Sequence, residues 1–150
     1  MKTIISTILM LGVILIISNQ QSFGQLFQTR SEIIKEHGPD YESDTSSNGT
    51  KYIVYKTELT TEESGTYTRH WVMYFTTLDD GTEYDGIEFC HFWQIFEPAT
   101  ETIPNMDYFN KNMTVVDFLK WKDDESGILY KIDVEDEISI ITSWYDFEDM

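Results

Sequence analysis

One long aromatic hairpin constrains the fold of this chain more than any other stretch. Residues 65–98 contain two runs rich in aromatic and β-branched residues, on either side of a polar segment with Gly81 and Gly86. Two such runs around a glycine-containing turn are typical of a β-hairpin. Large rings occur at both odd and even positions of each run, and alternate positions of a strand face opposite ways. The hairpin is therefore predicted to lie mid-sheet, at the centre of the core.

The alternation also assigns the rings to faces. It places Trp71 and Tyr74 on opposite faces of the first strand, and Trp93 and Phe92 on opposite faces of the second. Cys90 falls in phase with Phe92. Two short helices could not cover both faces, so we expect one face to be partly open.

The N-terminal segment, residues 1–24, resembles a secretory signal peptide. Lys2 is followed by an apolar run from Ile4 to Ile17 and by small residues near Gly24. A membrane anchor is the alternative, but this run of about 14 residues is shorter than the ~20 that span a bilayer. We expect export to the periplasm or the medium, and a mature form, residues 25–150, that does not span the membrane.

The mature part is predicted to be a single α+β domain. Its fold is an antiparallel sheet of about six strands with two short helices on one face, in the order α-βββ-α-βββ. Thr29 and Glu32 suit a capping box, and Gly38 and Pro39 suit the end of that helix. The predicted helices are residues 30–37 and 104–111, and the strands outside the hairpin are 51–59, 114–122, 128–134 and 138–147. The repeated order makes an internal duplication possible.

The charge is strongly negative. The formal net charge is −17, which repels nucleic acid and anionic membranes. It is compatible with a cationic partner, with divalent cations or simply with solubility. The acidic segment Asp79–Gly86 suits calcium in composition but not in the spacing of its carboxylates, so a solvated turn is the favoured interpretation.

Cysteine and histidine, the residue types most common at nucleophilic and zinc sites, are few in this chain. Cys90 is the only cysteine, so no intrachain disulfide can form, and a buried thiol is favoured over a nucleophile. His37, His70 and His91 are the only histidines and lack zinc-ligand spacing. No cofactor, metal or catalytic residue is predicted. With 27 acidic residues, chance carboxylate pairs carry almost no signal for a glycosidase.

The aromatic residues of the hairpin offer a candidate partner surface. Aromatic side chains on an exposed sheet face can bind peptides or sugars, although most aromatic residues belong to the core. We therefore predict a contact surface on whichever face is open, with Trp71, Trp93, Tyr74 and Phe92 as its candidate residues.

The stretch from Thr29 to Glu58 resembles the start of small bacterial envelope domains. A capped helix ends at Gly38 and Pro39, and a turn at Asn48 and Gly49 leads into a tyrosine-rich strand. This order is similar to SmpA/OmlA-type domains and to β-lactamase-inhibitor proteins. The whole chain also resembles an uncharacterised family of small secreted Gram-negative proteins. The resemblance implies helices packed on an antiparallel sheet and a non-catalytic binding role, although the lipoprotein cysteine of the first family is absent.

These observations predict a secreted or periplasmic, non-catalytic module that binds a protein or a saccharide. A small secreted hydrolase that uses surface carboxylates is the alternative, and it should show a concave pocket with converging polar groups. A third hypothesis is an accessory protein whose acidic surface neutralises a basic partner, which predicts binding that weakens with salt.

Overall fold

The computed structural model describes residues 25–79, 81, 83 and 85–145. The predicted signal peptide lies outside these residues, as do three positions of the acidic segment 79–86 and the end of the last predicted strand. The first half of the fold comprises helix α1 and four strands: α1 (Arg30–His37), β1 (Glu42–Thr45), β2 (Lys51–Thr61), β3 (Gly65–Thr77) and β4 (Glu88–Pro98).

The second half repeats this order. A single 3₁₀ turn, Ala99–Glu101, leads from β4 into the second helix. The elements are α2 (Thr102–Asn112), β5 (Thr114–Asp117), β6 (Lys120–Lys122), β7 (Ile128–Glu135) and β8 (Ile138–Tyr145). The order of the described elements is therefore α-ββββ-α-ββββ.

All strands belong to one antiparallel sheet with the order β1-β2-β3-β4-β8-β7-β6-β5. Each half contributes four consecutive strands, and the last strands of the two halves pair with each other. The prediction of an α+β fold with an antiparallel sheet and two helices is confirmed. The predicted count of about six strands and the predicted order are wrong, because the sheet has eight strands.

The two additional strands are short and polar or irregular. β1 lies just before the predicted turn at Asn48 and Gly49, and its backbone pairs with β2 around Gly49, whose φ is +87°. Residues 114–122 were predicted to form one strand. The backbone reverses at Leu119, which has a φ of +52°, and the segment becomes the β5–β6 hairpin. A non-glycine residue rarely adopts a positive φ. Because Leu119 is not a glycine, the alternation pattern did not predict this turn.

Helix α1 begins where the sequence predicts. The Thr29 side chain accepts a hydrogen bond from the Glu32 backbone N–H, and the Glu32 carboxylate accepts one from the Thr29 N–H at 2.8 Å. This reciprocal bonding satisfies two otherwise unpaired donors of the first turn. It also lowers the pKa of Glu32. Gly38, with a φ of +92°, ends the helix.

Both helices pack on the same face of the sheet, which we call the covered face. Ile33 of α1 and Phe109 of α2 are buried in one cluster with the rings and aliphatic chains of that face. Phe109 contacts the rings of Trp121 and Tyr130, with centroids 5.2 and 5.4 Å away. Trp93, which is fully buried, lies in the same cluster. The core is thus a single layer between the sheet and two short helices.

A β-bulge changes the face assignment at the start of β4. Tyr74 pairs with Phe92, but the next residue, Phe75, pairs with Cys90, so His91 is the additional residue. Cys90 therefore lies in the covered core, whereas Phe92 lies on the opposite face. The predicted shared face of Cys90 and Phe92 is wrong, because a bulge inserts one residue and reverses the alternation.

Candidate functional site

The face opposite the helices, which we call the open face, carries a row of aromatic side chains. Among the described residues, no helix or strand packs on this face. Four half-buried rings from neighbouring strands follow one another directly in the pairing register. They are Tyr52, Tyr74, Phe92 and Trp144, and we call them the aromatic row.

The rings of Tyr52, Tyr74 and Phe92 pack against one another. Tyr74 and Phe92 are stacked, with centroids 4.2 Å apart and planes 13° from parallel. Tyr52 lies 5.6 Å from Tyr74. Rings that stack between adjacent strands stand upright on the sheet, because the stacking direction lies in the sheet plane. Tyr74 and Phe92 therefore present ring edges, rather than flat ring faces, to anything that approaches.

Hydrogen bonds fix the polar groups beside the row. The Tyr74 hydroxyl donates to Gln94 Oε1 at 3.0 Å, and Gln94 Nε2 donates to Thr142 Oγ1 at 3.1 Å. Burial, and then the nearby Tyr52 phenol, raises the pKa of Tyr74. Tyr74 thus stays a neutral donor at physiological pH, and the three side chains form a fixed polar strip across β3, β4 and β8.

Lysines border the row at its second-half end. Lys120 and Lys131 are direct partners on β6 and β7. Lys120 Nζ lies 5.3 Å from the Trp144 ring centroid, a distance that permits a cation–π contact. Lys131 forms an ion pair of 2.8 Å with Asp133. A chain with a net charge of −17 therefore has a local concentration of cations beside its open aromatic surface.

The structure separates the four residues of the predicted partner surface. Tyr74 and Phe92 lie on the open face and remain candidates. Trp71 and Trp93 lie on the covered face, where Trp71 contacts the His37 ring at 5.1 Å and Trp93 has no exposed surface. Trp93 is therefore part of the core, because α1 and α2 cover the face on which it lies.

Tyr52 and Trp144 complete the row and were missing from the predicted surface. Both residues lie within predicted strands, 51–59 and 138–147, but the sequence did not reveal which strands are neighbours. The pairing of β4 with β8 brings Trp144 beside Phe92 although the two residues are far apart in the chain. A non-local strand pairing of this kind has no local sequence signal.

Two buried carboxylates on the covered side are engaged in structural bonds. Glu97, 3% exposed, accepts hydrogen bonds from Arg69 Nε at 2.9 Å, from the Tyr67 hydroxyl at 3.2 Å and from the Asn105 amide. Glu101 accepts from hydroxyls in the β2–β3 turn. Burial and the Glu97 charge raise the pKa of Tyr67 to about 12. These bonds tie the start of α2 to the sheet.

The acidic turn after β6 borders a surface cleft. This cleft has a volume of about 660 Å³ and is lined by Tyr108, Lys111 and the turn residues 123–125. Asp123 accepts hydrogen bonds from the Glu125 N–H at 3.0 Å and from the Ser126 hydroxyl at 2.7 Å. The acid at the head of the turn therefore stabilises the turn itself, as an Asx-type residue does.

The thiol and the imidazoles are dispersed. Burial raises the pKa of Cys90 to about 12, so the group is a neutral thiol at physiological pH. His37 packs against Tyr55 and Trp71 on the covered face, whereas His70 pairs with Phe96. In the part of the chain that the structure describes, no group of three or more His, Cys, Asp or Glu side chains could hold a metal ion.

No helix within residues 25–145 is both long and apolar enough to cross a membrane. No protein-family model matches the chain, and no curated protein or solved structure matches it significantly.

Proposed function

We propose that the chain is an exported, non-catalytic module that binds another protein through its open face. The observation that carries this proposal is the half-buried aromatic row on the side of the sheet without helices. Aromatic residues are enriched at the centres of protein interfaces, where they supply large contact areas. Fixed hydrogen bonds beside the row leave it few conformations to lose on binding.

The orientation of the rings favours a protein over a saccharide. The C–H groups of a sugar pack against the electron-rich face of an aromatic ring, whereas the ring edge carries the opposite partial charge. In the aromatic row, Tyr74 and Phe92 use their faces for each other, and Lys120 lies over the ring of Trp144. Exposed ring edges pack well against apolar side chains and carbonyl oxygens, which a protein surface supplies.

The small secreted hydrolase is the second candidate, and only the acidic cleft beside Asp123 and Glu125 supports it. The aromatic row supports a binding module more strongly than this cleft supports a hydrolase, because Asp123 is already hydrogen-bonded within its own turn. An ester, peptide and glycoside substrate panel tests the alternative. Turnover that Glu125→Gln abolishes would favour the hydrolase, and absence of turnover favours the binding module.

Export is part of the proposal. The first described residues form an arm that pairs with β4 through Phe27 N–H to Cys90 O at 2.8 Å and Cys90 N–H to Gln28 O at 2.9 Å. Removal of residues 1–24 would leave these bonds in place. We expect the intact mass of protein from the periplasm or medium to correspond to a chain that begins at Gln25. A mass that includes residues 1–24 would contradict export by cleavage.

The binding surface can be tested by comparing two double variants as baits in extracts of the native host. Tyr52→Ser with Trp144→Ser alters the aromatic row. The control, Ile103→Ser with Tyr108→Ser, removes apolar surface from the exposed side of α2, where these side chains are 69% and 46% exposed. We expect quantitative mass spectrometry to show that only the first variant loses the proteins captured by wild type. Equal capture by both variants would contradict the proposal.

A further inference from the structure

The charges of the open face have an order that the aromatic row alone does not reveal. Three rows of directly paired residues cross this face from the first half to the second. The row through Phe92 runs from Asp44 on β1 to Lys122 on β6, which pairs with Thr114 on β5. The row through Gln94 runs from Glu42 on β1 to Lys120 on β6, which pairs with Asp117 on β5.

The third row has the opposite polarity. It passes through Phe96, begins at Lys56 on β2 and reaches Asp133 on β7. In the sheet order, β1 and β6 are each three strands from β4, and β2 and β7 are each two strands from it. In these three rows, each acid and its lysine are placed symmetrically about β4, on opposite sides of it. The next position along the same face has an acid on both strands, Glu58 on β2 and Glu135 on β7, so the charge complementarity is confined to the three rows.

This arrangement is self-complementary. A two-fold axis that lies in the interface and runs along β4 would place β1 of one copy over β6 of the other, and β2 over β7. Each acid would then lie over a lysine of the second copy in all three rows, with Phe92, Gln94 and Phe96 on the axis. A two-fold interface uses the same patch on both subunits, so only a self-complementary patch can form one.

Resting on the proposed function of the open face, we propose that its partner is a second copy of this chain. The two sheets pack face to face about the axis along β4, as a sandwich with sheets ~10 Å apart and strands within ~30° of alignment. Trp144 of one copy lies over Tyr74 of the other. The Gln94 amides meet on the axis. Each retains one N–H and one oxygen lone pair beyond its hydrogen bonds to Thr142 and Tyr74.

The size of the face is sufficient for such a dimer. Seven strands from β1 to β6 at ~4.8 Å spacing and three rows along the strands cover roughly 34 by 20 Å, or about 700 Å² in plan. Side-chain relief increases the accessible area, and standard interfaces bury about 800 Å² per partner. The central part of the face is apolar and the charges lie toward its ends, which matches the core-and-rim composition of protein interfaces.

The charges on the open face favour this register over others, although each copy has a net charge of −17. At 0.15 M salt the Debye length is ~8 Å, so repulsion between the outer surfaces is largely screened while charges in contact still interact. Registers that place lysine over lysine or acid over acid are disfavoured, because contacts between like charges are costly. The ordered charges of the open face thus specify both the partner and its orientation.

The test is a charge exchange followed by sedimentation velocity at 0.15 M salt over 5–500 µM protein (~100-fold). Variant A is Lys120→Glu with Lys122→Glu, and variant B is Glu42→Lys with Asp44→Lys. We expect wild type to sediment as a dimer at high concentration, and A and B alone to shift at least ~10-fold toward monomer. An equimolar mixture of A and B should recover the dimer, because its two contact regions again pair acids with lysines.

The matched control is Lys35→Glu with Lys111→Glu, which makes the same charge change on the exposed sides of the helices. It should dimerise like wild type, and thermal melting should show that all variants are folded. A monomeric wild type, or A and B that dimerise as well as wild type, overturns the proposal. So does a mixture that stays monomeric while wild type dimerises.

Failure of the dimer leaves the proposed function separately testable. If wild type is monomeric but Tyr52→Ser with Trp144→Ser still abolishes capture of a host protein, the open face binds a different partner and only the present inference is wrong. If capture is also unchanged, both proposals are wrong.

Discussion

The two faces of one sheet use aromatic residues in opposite ways. On the covered face, Trp93 and Tyr130 are fully buried beneath the helices, and polar groups such as Glu97 are bonded within the protein. On the open face, Tyr74 and Phe92 are half-buried although they make similar ring contacts. The comparison teaches that the content of aromatic residues identifies a sheet centre, whereas coverage by helices decides which face is core.

The comparison predicts that truncation of a ring costs far more on the covered face. We expect Trp93→Ala to lower the free energy of unfolding by about 3–5 kcal/mol, because it leaves a large cavity in a closed core. Tyr52→Ala on the open face should cost less than about half of that, since its ring is only partly removed from water. Urea unfolding of both variants at a concentration where the chain is monomeric gives the ratio, and equal losses would show that the open face is covered even in the monomer.

A polar substitution sharpens the same contrast. Arg69→Met removes the cation that bonds Glu97, whose side chain is fully buried, and we expect a loss of about 3 kcal/mol because a buried charge loses its partner. Replacing Glu97 by Gln in the same chain should recover part of that loss. The double-mutant cycle, measured by chemical denaturation, isolates the coupling. Independent, additive effects would mean that the two side chains do not interact.

The smallest expected effect concerns the exposed end of the hairpin. A hydrogen bond from Lys51, together with the charges of Lys51 and Arg30, lowers the pKa of Glu88 below its usual 4.5. Because the folded-state pKa is the lower one, its stabilisation is present above pH 4.5 and is lost as the pH falls through the folded-state value. We expect about 0.5 kcal/mol from this partly exposed pair. Glu88→Gln should flatten the acid limb of the stability curve by that amount, and an unchanged limb would contradict the assignment.

Local sequence patterns predicted where helices and strands lie better than they predicted how the strands turn and pair. The capping residues Thr29 and Glu32 and the stop at Gly38 correctly located α1, because helix ends depend on a few adjacent residues. The β5–β6 hairpin was missed since it turns at a non-glycine residue with positive φ. The β4 bulge was missed because a bulge leaves the composition of a strand unchanged while reversing its faces.

Two of the four residues of the aromatic row could be predicted from the sequence. Tyr74 and Phe92 lie in a hairpin whose partners are close in the chain, so their shared surface followed from alternation and turn chemistry. Trp71 and Trp93 could not be separated from them, because coverage depends on where the helices pack. The pairing of Phe92 with Trp144 and the order of charges across the sheet arise from the junction of the two halves.

That junction also has a consequence for the time course of folding. Most neighbours in the sheet are consecutive strands, and Thr61 pairs with Gly65 across a turn, whereas the β4–β8 ladder joins residues as distant as Phe92 and Trp144. Closing a long loop costs entropy before any contact forms, so non-local ladders form slowly. We expect each four-stranded half to form first, and the β4–β8 ladder to set the rate at which the complete sheet appears.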